Sequence, residues 1–274
     1  MSSLPKQARL DTLGRAREPA FALVGESSDA PAEAEAEAEA EAATVHGGAS
    51  SFAIDAGHPL LTRSSTRAFL PTPLPDGLLR HLLGVARQAP SGANLQPGEI
   101  VHVRGSVRAA LCDALCDAHH AGRHEEEDYR YFPNPMPHTL RRRQVAAAQA
   151  LYQALGVARD DTLGRTAQFT RNFQFFEAPV ALLVTIDARL GAGGYMDLGM
   201  MLHGLMVAAE AEGIASCAIG AMAHFPRLIR TTLGLPDSRH IVCGMALGYR
   251  DPSAPVNTCR TARIAVDDFF TEIG

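Results

Sequence analysis

Apolar positions recur at helical spacing through residues 76–89, where Leu78, Leu79, Leu82, Leu83 and Ala86 share a face and Asp76 stands as the expected cap. The same period predicts helices over 107–119, 139–155, 162–173 and 225–233. Residues 194–212 read as a long apolar helix with Gly213 placed to close it. The run 179–186 is continuously apolar and β-branched, the pattern of a buried strand; 241–249 and the short 99–104 are the other strands expected. Few strands among more helices predict an α+β domain. Residues 120–137 follow neither period. They hold three consecutive glutamates, Tyr129, Tyr131, Phe132 and three prolines, and an irregular stretch of that length inside a compact domain is expected to be a functional loop or lid.

The first 50 residues lie outside these patterns. Residues 31–43 alternate Glu and Ala, which gives neither a helix nor a strand an apolar face to bury. The chain therefore divides into a disordered tail with an acidic spacer, 1–50, and one folded domain, 51–274. Within the tail, residues 1–30 carry two readings: an unstructured terminus, or a segment that docks onto a protein shell or scaffold through a flexible arm. Arg9, Arg15 and Arg17 faintly suggest an organelle transit peptide, which Asp11 and Glu18 weaken.

The net charge of −5 comes from that spacer. Without its five glutamates, 25 acidic residues balance 25 basic ones, which argues against a nucleic-acid surface or a polybasic membrane patch. The longest apolar runs are too short to cross a bilayer, and the first 30 residues are too polar for a secretory signal. Five sparse cysteines with no Cys-x-x-Cys pair read as reduced thiols of a cytoplasmic protein. Cys112 and Cys116, four apart on a helix, read as small core residues, because that geometry suits a disulfide poorly.

Common catalytic signatures are absent: no third glycine after Gly191 and Gly193, no phosphate-loop lysine motif, no His-Glu-x-x-His, no Gly-x-Ser-x-Gly. Eleven scattered histidines give no metal site. Two segments carry donors instead. Arg63-Ser64-Ser65-Thr66-Arg67 packs two guanidiniums and several hydroxyls together, and an extended backbone puts Arg63, Ser65 and Arg67 on one side, a set suited to a phosphate dianion or else to a solvated turn. Pro90, Ser91, Asn94 and Gln96 follow the first long helix in a loop fixed by Pro90, Gly92 and Pro97, and can read the edge of a polar heterocycle or simply cap the helix exit.

Taken together, Arg-x-Ser-x-Arg-x-Phe, a helix and then Ala-Pro-Ser-x-x-Asn-x-Gln-Pro resemble the FMN-dependent nitroreductase family. Gly213-Ile-Ala-Ser-Cys217, Leu233-Gly-Leu-Pro236, Gly244-Met-Ala-Leu-Gly248 and Asn257-Thr-Cys-Arg260-Thr-Ala-Arg263 extend the resemblance over about residues 58–270. The stretches from Tyr131 to Pro135 and from Asn172 to Pro179 look closest to its nitrobenzoate-reductase-like branch. The resemblance implies a mostly antiparallel sheet wrapped by helices, an intertwined homodimer, FMN as cofactor and NADH or NADPH as co-substrate. It places Arg63, Ser64, Ser65 and Arg67 on the FMN phosphate with Arg260 and Arg263. It places Ser91 and Asn94 on the cofactor from the partner subunit, adds Pro90 and Gln96 to the cofactor-binding residues, and sets the backbone at Ile219 and Gly220 against the flavin ring.

Two departures stand out: Gly98 where an aromatic residue is frequent, and Ser64 where a second basic residue is common. Chemistry on the flavin needs no acid–base residue of the protein, so no catalytic side chain is assigned. Tyr129, Arg130, Tyr131 and Phe132 are lid candidates that would select a planar, small-molecule electron acceptor. The expected activity is ping-pong reduction of a nitroaromatic or quinone-like acceptor. The alternatives are an FMN-dependent oxidase or dehydrogenase of natural-product tailoring, or a non-catalytic flavin-binding scaffold.

Overall fold

A computed structural model describes residues 55–274. The tail assigned to 1–50, with its spacer and docking segment, lies outside the described residues. In chain order the elements are α1 (Pro59–Thr62), α2 (Leu78–Ala86), β1 (Glu99–Val103), α3 (Gly105–His120), α4 (His138–Leu155) and α5 (Thr162–Thr170). They continue with β2 (Val180–Asp187), α6 (Ala192–Ala211), β3 (Ala215–Ile219), α7 (Pro226–Leu233) and β4 (Arg239–Gly248).

The four strands form one antiparallel sheet in the order β1-β2-β4-β3. The central pair β2 and β4 is buried on both faces, which is why the two read as unbroken apolar runs. Side-chain alternation splits the core in two. Ala181 and Leu183 of β2 meet Leu111 and Leu115 of α3 and Ile229 of α7; Val180, Leu182, Val184 and Ile186 meet Leu82 of α2 and Leu198, Leu202 and Leu205 of α6. The sheet thus lies between two layers of helices, as α+β predicts.

Two expectations change. Asp76 does not cap α2: the helix begins one residue later, behind Gly77 in the left-handed region, and Asp76 is exposed. The five residues of β3 form a fourth strand that periodicity does not show, because Ala215, Ser216 and Cys217 are all small and buried. Gly213, at φ +70°, closes α6 as expected. Phe175, Phe176 and Glu177 form a left-handed turn with φ between 53° and 56°. Each such residue costs roughly 1–2 kcal/mol. Full burial of both phenylalanines offsets that, and Arg108 donates to the carbonyls of Ala178 and Gln174 on either side of the turn. All five cysteines are free, with Cys112 and Cys116 packed at the core margin.

Candidate functional site

Beyond the edge strand β3 the chain from Ser65 to Leu70 adds a further extended segment. Ser65 pairs with Ser216 in parallel, the Thr66 amide donates to the Ser216 carbonyl, and Leu70 donates to Tyr249. Extended backbone alternates its side chains, so Arg63, Ser65 and Arg67 come to one side as expected, around Cys217. Burial pushes the Cys217 thiol up, and the charge of Arg67, a hydrogen bond with Ser65 and the charge of Arg63 oppose that rise. Arg63 Nε is buried and has no hydrogen-bond partner in the described structure. A buried donor without an acceptor is costly, and one standing beside a second guanidinium and a hydroxyl fits a phosphate group.

Asn257, 7% exposed, holds this segment in place. Its Oδ1 accepts from the Arg67 amide at 2.9 Å, and its Nδ2 donates to the carbonyls of Ala68 at 2.9 Å and Asp251 at 2.8 Å. Ser64 accepts a hydrogen bond from Arg250. Arg260 and Arg263 lie on the exposed C-terminal stretch, where their guanidiniums donate to nearby carbonyls, those of Asn257 and Cys259 for Arg260 and those of Thr261 and Ala262 for Arg263.

The second donor segment lines a separate cleft of about 350 Å³ that includes Pro90, Ser91, Gln96, Gly98 and Asp197 but none of Arg63 to Arg67. Buried Asp197 of α6 accepts from the Gly92 amide, the Ser91 hydroxyl accepts from the Gln96 amide, and Arg87 donates to the Gln96 side chain. Ala93, Asn94 and Gln96 all take positive φ, so the loop is held in a shape its residue types do not favour. Gly98 also lines this cleft. At φ +96°, a Cβ there would stand 2.5 Å from Leu198 Cδ1, so any side chain at this position is strained and has to displace that methyl group.

At the far end of β3 the chain turns at Gly220 into a short 3-10 segment, and β4 loses its neighbour. Residues 121–137 take that place, irregular as expected. Asp128 accepts from the Ile241 amide at 2.8 Å and from Arg230 at 2.6 Å. Glu125 accepts from the amides of Arg227 and Leu228 and so caps α7 from another part of the chain. These carboxylates fasten the loop. Tyr129 fastens it as well: it donates to the Val242 carbonyl at 2.8 Å and packs on Tyr195. Tyr131, 56% exposed, reaches Gly220 and meets Phe132 edge to face. Tyr129, Arg130 and Tyr131 line an open trough of about 570 Å³ with Tyr195 and His240. Among the described residues there is no metal-binding cluster.

His224 lies at the root of this loop. Burial, with the charges of His119 and His124, brings its imidazole down to about 4, and a 3.6 Å approach to Glu127 is too long to hold the proton on. Burial pushes the Glu127 carboxyl up. Between about pH 4 and the ordinary value of 6.5, the unfolded chain binds a proton at His224 that the folded chain does not. Stability is therefore full above that window and falls as pH drops through it. A loss of about 2 kcal/mol is expected by pH 4.5, and His224→Gln should flatten the profile, measured as urea midpoints at pH 7 and pH 4.5.

Fold and site define a class: an α+β protein whose antiparallel sheet carries a guanidinium-rich segment along its edge strand and an irregular loop with aromatic side chains at that strand's far end. The chain belongs to the nitroreductase family, whose family model matches residues 60–249. It is 36% identical over 213 residues to the 4-nitrobenzoate reductase of Pseudomonas putida, covering 78% of this chain and 93% of that protein. With the chloronitrobenzene nitroreductase of Comamonas testosteroni it shares 33% identity, over 76% of this chain and 92% of that one. Among solved structures it is similar to the FMN and NADPH-dependent nitroreductase NfnB of a Sphingopyxis strain, with TM-score 0.77, 34% identity and coverage of 81% and 100%. It is also similar to NfnB of Mycobacterium smegmatis in complex with NADPH, with TM-score 0.75, 30% identity and coverage of 80% and 98%. Among the described residues no helix is long and apolar enough to cross a membrane.

Proposed function

We propose that the protein is a homodimeric flavoprotein that binds FMN and passes electrons from NADH or NADPH to a nitroaromatic or quinone-like acceptor. One observation carries this reading. Arg63, with its buried Nε unsatisfied, and its neighbours lie beside Ser216 and Cys217, and Tyr131 lies over Gly220, so an anion site and a flat aromatic surface are separated by four residues of strand, about 13 Å. A ligand with a phosphate at one end and a planar ring at the other has that form. FMN and NADPH dependence in similar structures, and nitroaromatic names among similar enzymes, support the same conclusion.

In this reading Arg63, Ser64, Ser65 and Arg67 hold the phosphate, and Arg260 and Arg263 join them by exchanging their present carbonyl partners for it. Backbone at Ile219 and Gly220 lies along the ring. When bound, FMN supplies the two-electron chemistry; the chain supplies orientation and charge. Tyr131 and Phe132 offer the acceptor a stacking surface and exclude water, and Arg130 offers a cation to an anionic substituent. Ser91, Asn94, Gln96 and the turn at Pro90 serve the site of a second copy. A dimer is supported by surface that one copy leaves bare. The 18-residue α4 has no buried residue, Met196 and Met200 of α6 are exposed, and the C-terminal stretch exposes Val266, Phe269, Phe270 and Ile273. Residues 1–30 are the proposed docking segment for a shell or scaffold.

The purified protein, with or without residues 1–50, is expected to be yellow, dimeric by light scattering, and bleached anaerobically by NADH or NADPH. Adding a nitrobenzoate should restore the colour. A colourless monomer that takes up no FMN would remove the reading. Flavin that nicotinamide leaves oxidised would remove the reductase activity.

A further inference from the structure

The open trough holds two donors that the fold leaves unused. Arg130 is exposed, and among the described residues no hydrogen bond or ion pair engages it. His240 is engaged at one ring nitrogen: its Nδ1 lies 3.1 Å from the Tyr195 hydroxyl. That hydroxyl has no other acceptor among the described residues, and burial, with the charge of Asp128, pushes the phenol up, so Tyr195 keeps its proton and donates it to Nδ1. The neutral imidazole then carries its own proton on Nε2, which stands ready to donate. Tyr129 packs on Tyr195 with ring centroids 5.0 Å apart and holds that ring in place. Asp128, the one carboxylate lining the trough, is taken up by Arg230 and the Ile241 amide. What remains is a cation and a fixed N–H donor, a pair suited to an anion.

Distance decides which anion. Tyr131 lies at Gly220, and from it the rings of Tyr129 and Tyr195 follow at 6.2 and 5.0 Å, ending at His240. Along β4, His240 precedes Gly244, the residue paired with Ile219, by four positions with a bulge between them, so it stands roughly 10–13 Å from the Ile219–Gly220 turn. A single aromatic ring with a nitro group and a carboxylate is only about 6–7 Å long by ordinary bond lengths, and falls short. A nicotinamide dinucleotide carries its phosphates a whole sugar beyond its ring, and reaches. We propose that Arg130 and His240 bind the phosphates of the nicotinamide dinucleotide whose ring meets the flavin beside Gly220, with Tyr195 as the positioning residue that fixes the imidazole. The assignment rests on the flavin reductase reading above.

The test follows anaerobic bleaching of the full-length, FMN-loaded protein by NADPH, by NADH and by 1-benzyl-1,4-dihydronicotinamide, which has the ring and no phosphate; calorimetric titration with NADP⁺ reads binding without turnover. Arg130→Ala and His240→Gln are each expected to raise the half-saturating NADPH concentration about 5–20-fold and to weaken NADP⁺ by a similar factor, with no such loss for the benzyl compound. Arg130→Lys should retain part of the affinity, since it keeps the charge but not the fork. Tyr195→Phe releases the imidazole to either tautomer and should cost less, about 2–5-fold. Equal losses with NADPH and NADH would place the diphosphate in the trough, and a loss confined to NADPH would place the 2′-phosphate there. An equal loss with the benzyl compound would overturn the assignment and leave a structural role. So would unaltered binding in the variants, or a loss seen only when 4-nitrobenzoate reoxidises the flavin. A wild-type protein bleached by none of the three donors would remove the reductase reading itself, an outcome visible before any variant is made.

Discussion

Replacing Arg63 by alanine is expected to weaken FMN about 100-fold while making the flavin-free protein more stable. The two effects have one origin. Arg63 Nε is buried without an acceptor, and the guanidinium shares its side of the segment with Arg67. Without a bound anion that buried donor is unsatisfied, which is unfavourable. Removing it relieves roughly 1 kcal/mol, or about 2–4 °C in a chain of this size. With phosphate present the same guanidinium forms charge-assisted bonds, each contributing about 1.5–3 kcal/mol. Thermal melts with and without FMN read both. The wild type should melt higher when FMN is added; Arg63→Ala should start higher and gain almost nothing. An Arg63→Ala protein that melts lower and keeps its FMN shift would show that the side chain serves packing.

Asn257→Ala should have the largest effect on stability. Its amide satisfies one backbone N–H and two carbonyls at once, joining the donor segment to the turn after β4. Ala68 O keeps a second donor, the Asp251 amide; Arg67 N has no other acceptor in the described structure. The truncation should cost about 3 kcal/mol and lower the melting midpoint by roughly 6–12 °C. FMN affinity should fall as well, because Arg67 loses its fixed backbone. Asn257→Asp separates the two roles. It keeps the acceptor for Arg67 but turns a carboxylate toward two carbonyls, so it should be at least as destabilising as alanine. Urea unfolding and FMN titration of both variants check this; a loss under 1 kcal/mol for alanine would mean that water replaces the amide.

The sequence shows most of the helices and the central strands because each carries its own period or an unbroken apolar run. It shows the Arg63 to Arg67 donors because five neighbouring residues suffice to specify them. It does not show β3, whose buried residues are too small to mark a pattern. Nor does it show what holds the donors in place. Asn257 and Arg250 lie more than 180 residues from the segment they touch, and an asparagine that completes three backbone hydrogen bonds looks like any other before the chain is folded. The acidic run at 125–128 is equally silent. Its Glu125 and Asp128 find partners on α7 and β4, which local charge pattern cannot reveal.

The moorings of residues 121–137 have a consequence for how such a protein can diversify. Its foundation is carboxylates on backbone amides and one tyrosine hydroxyl on a carbonyl, while the residues that face outward hang beyond them. Insertions or exchanges at the overhang leave the sheet and the segment from Arg63 to Arg67 untouched. A lineage could therefore try new acceptors at little risk to folding.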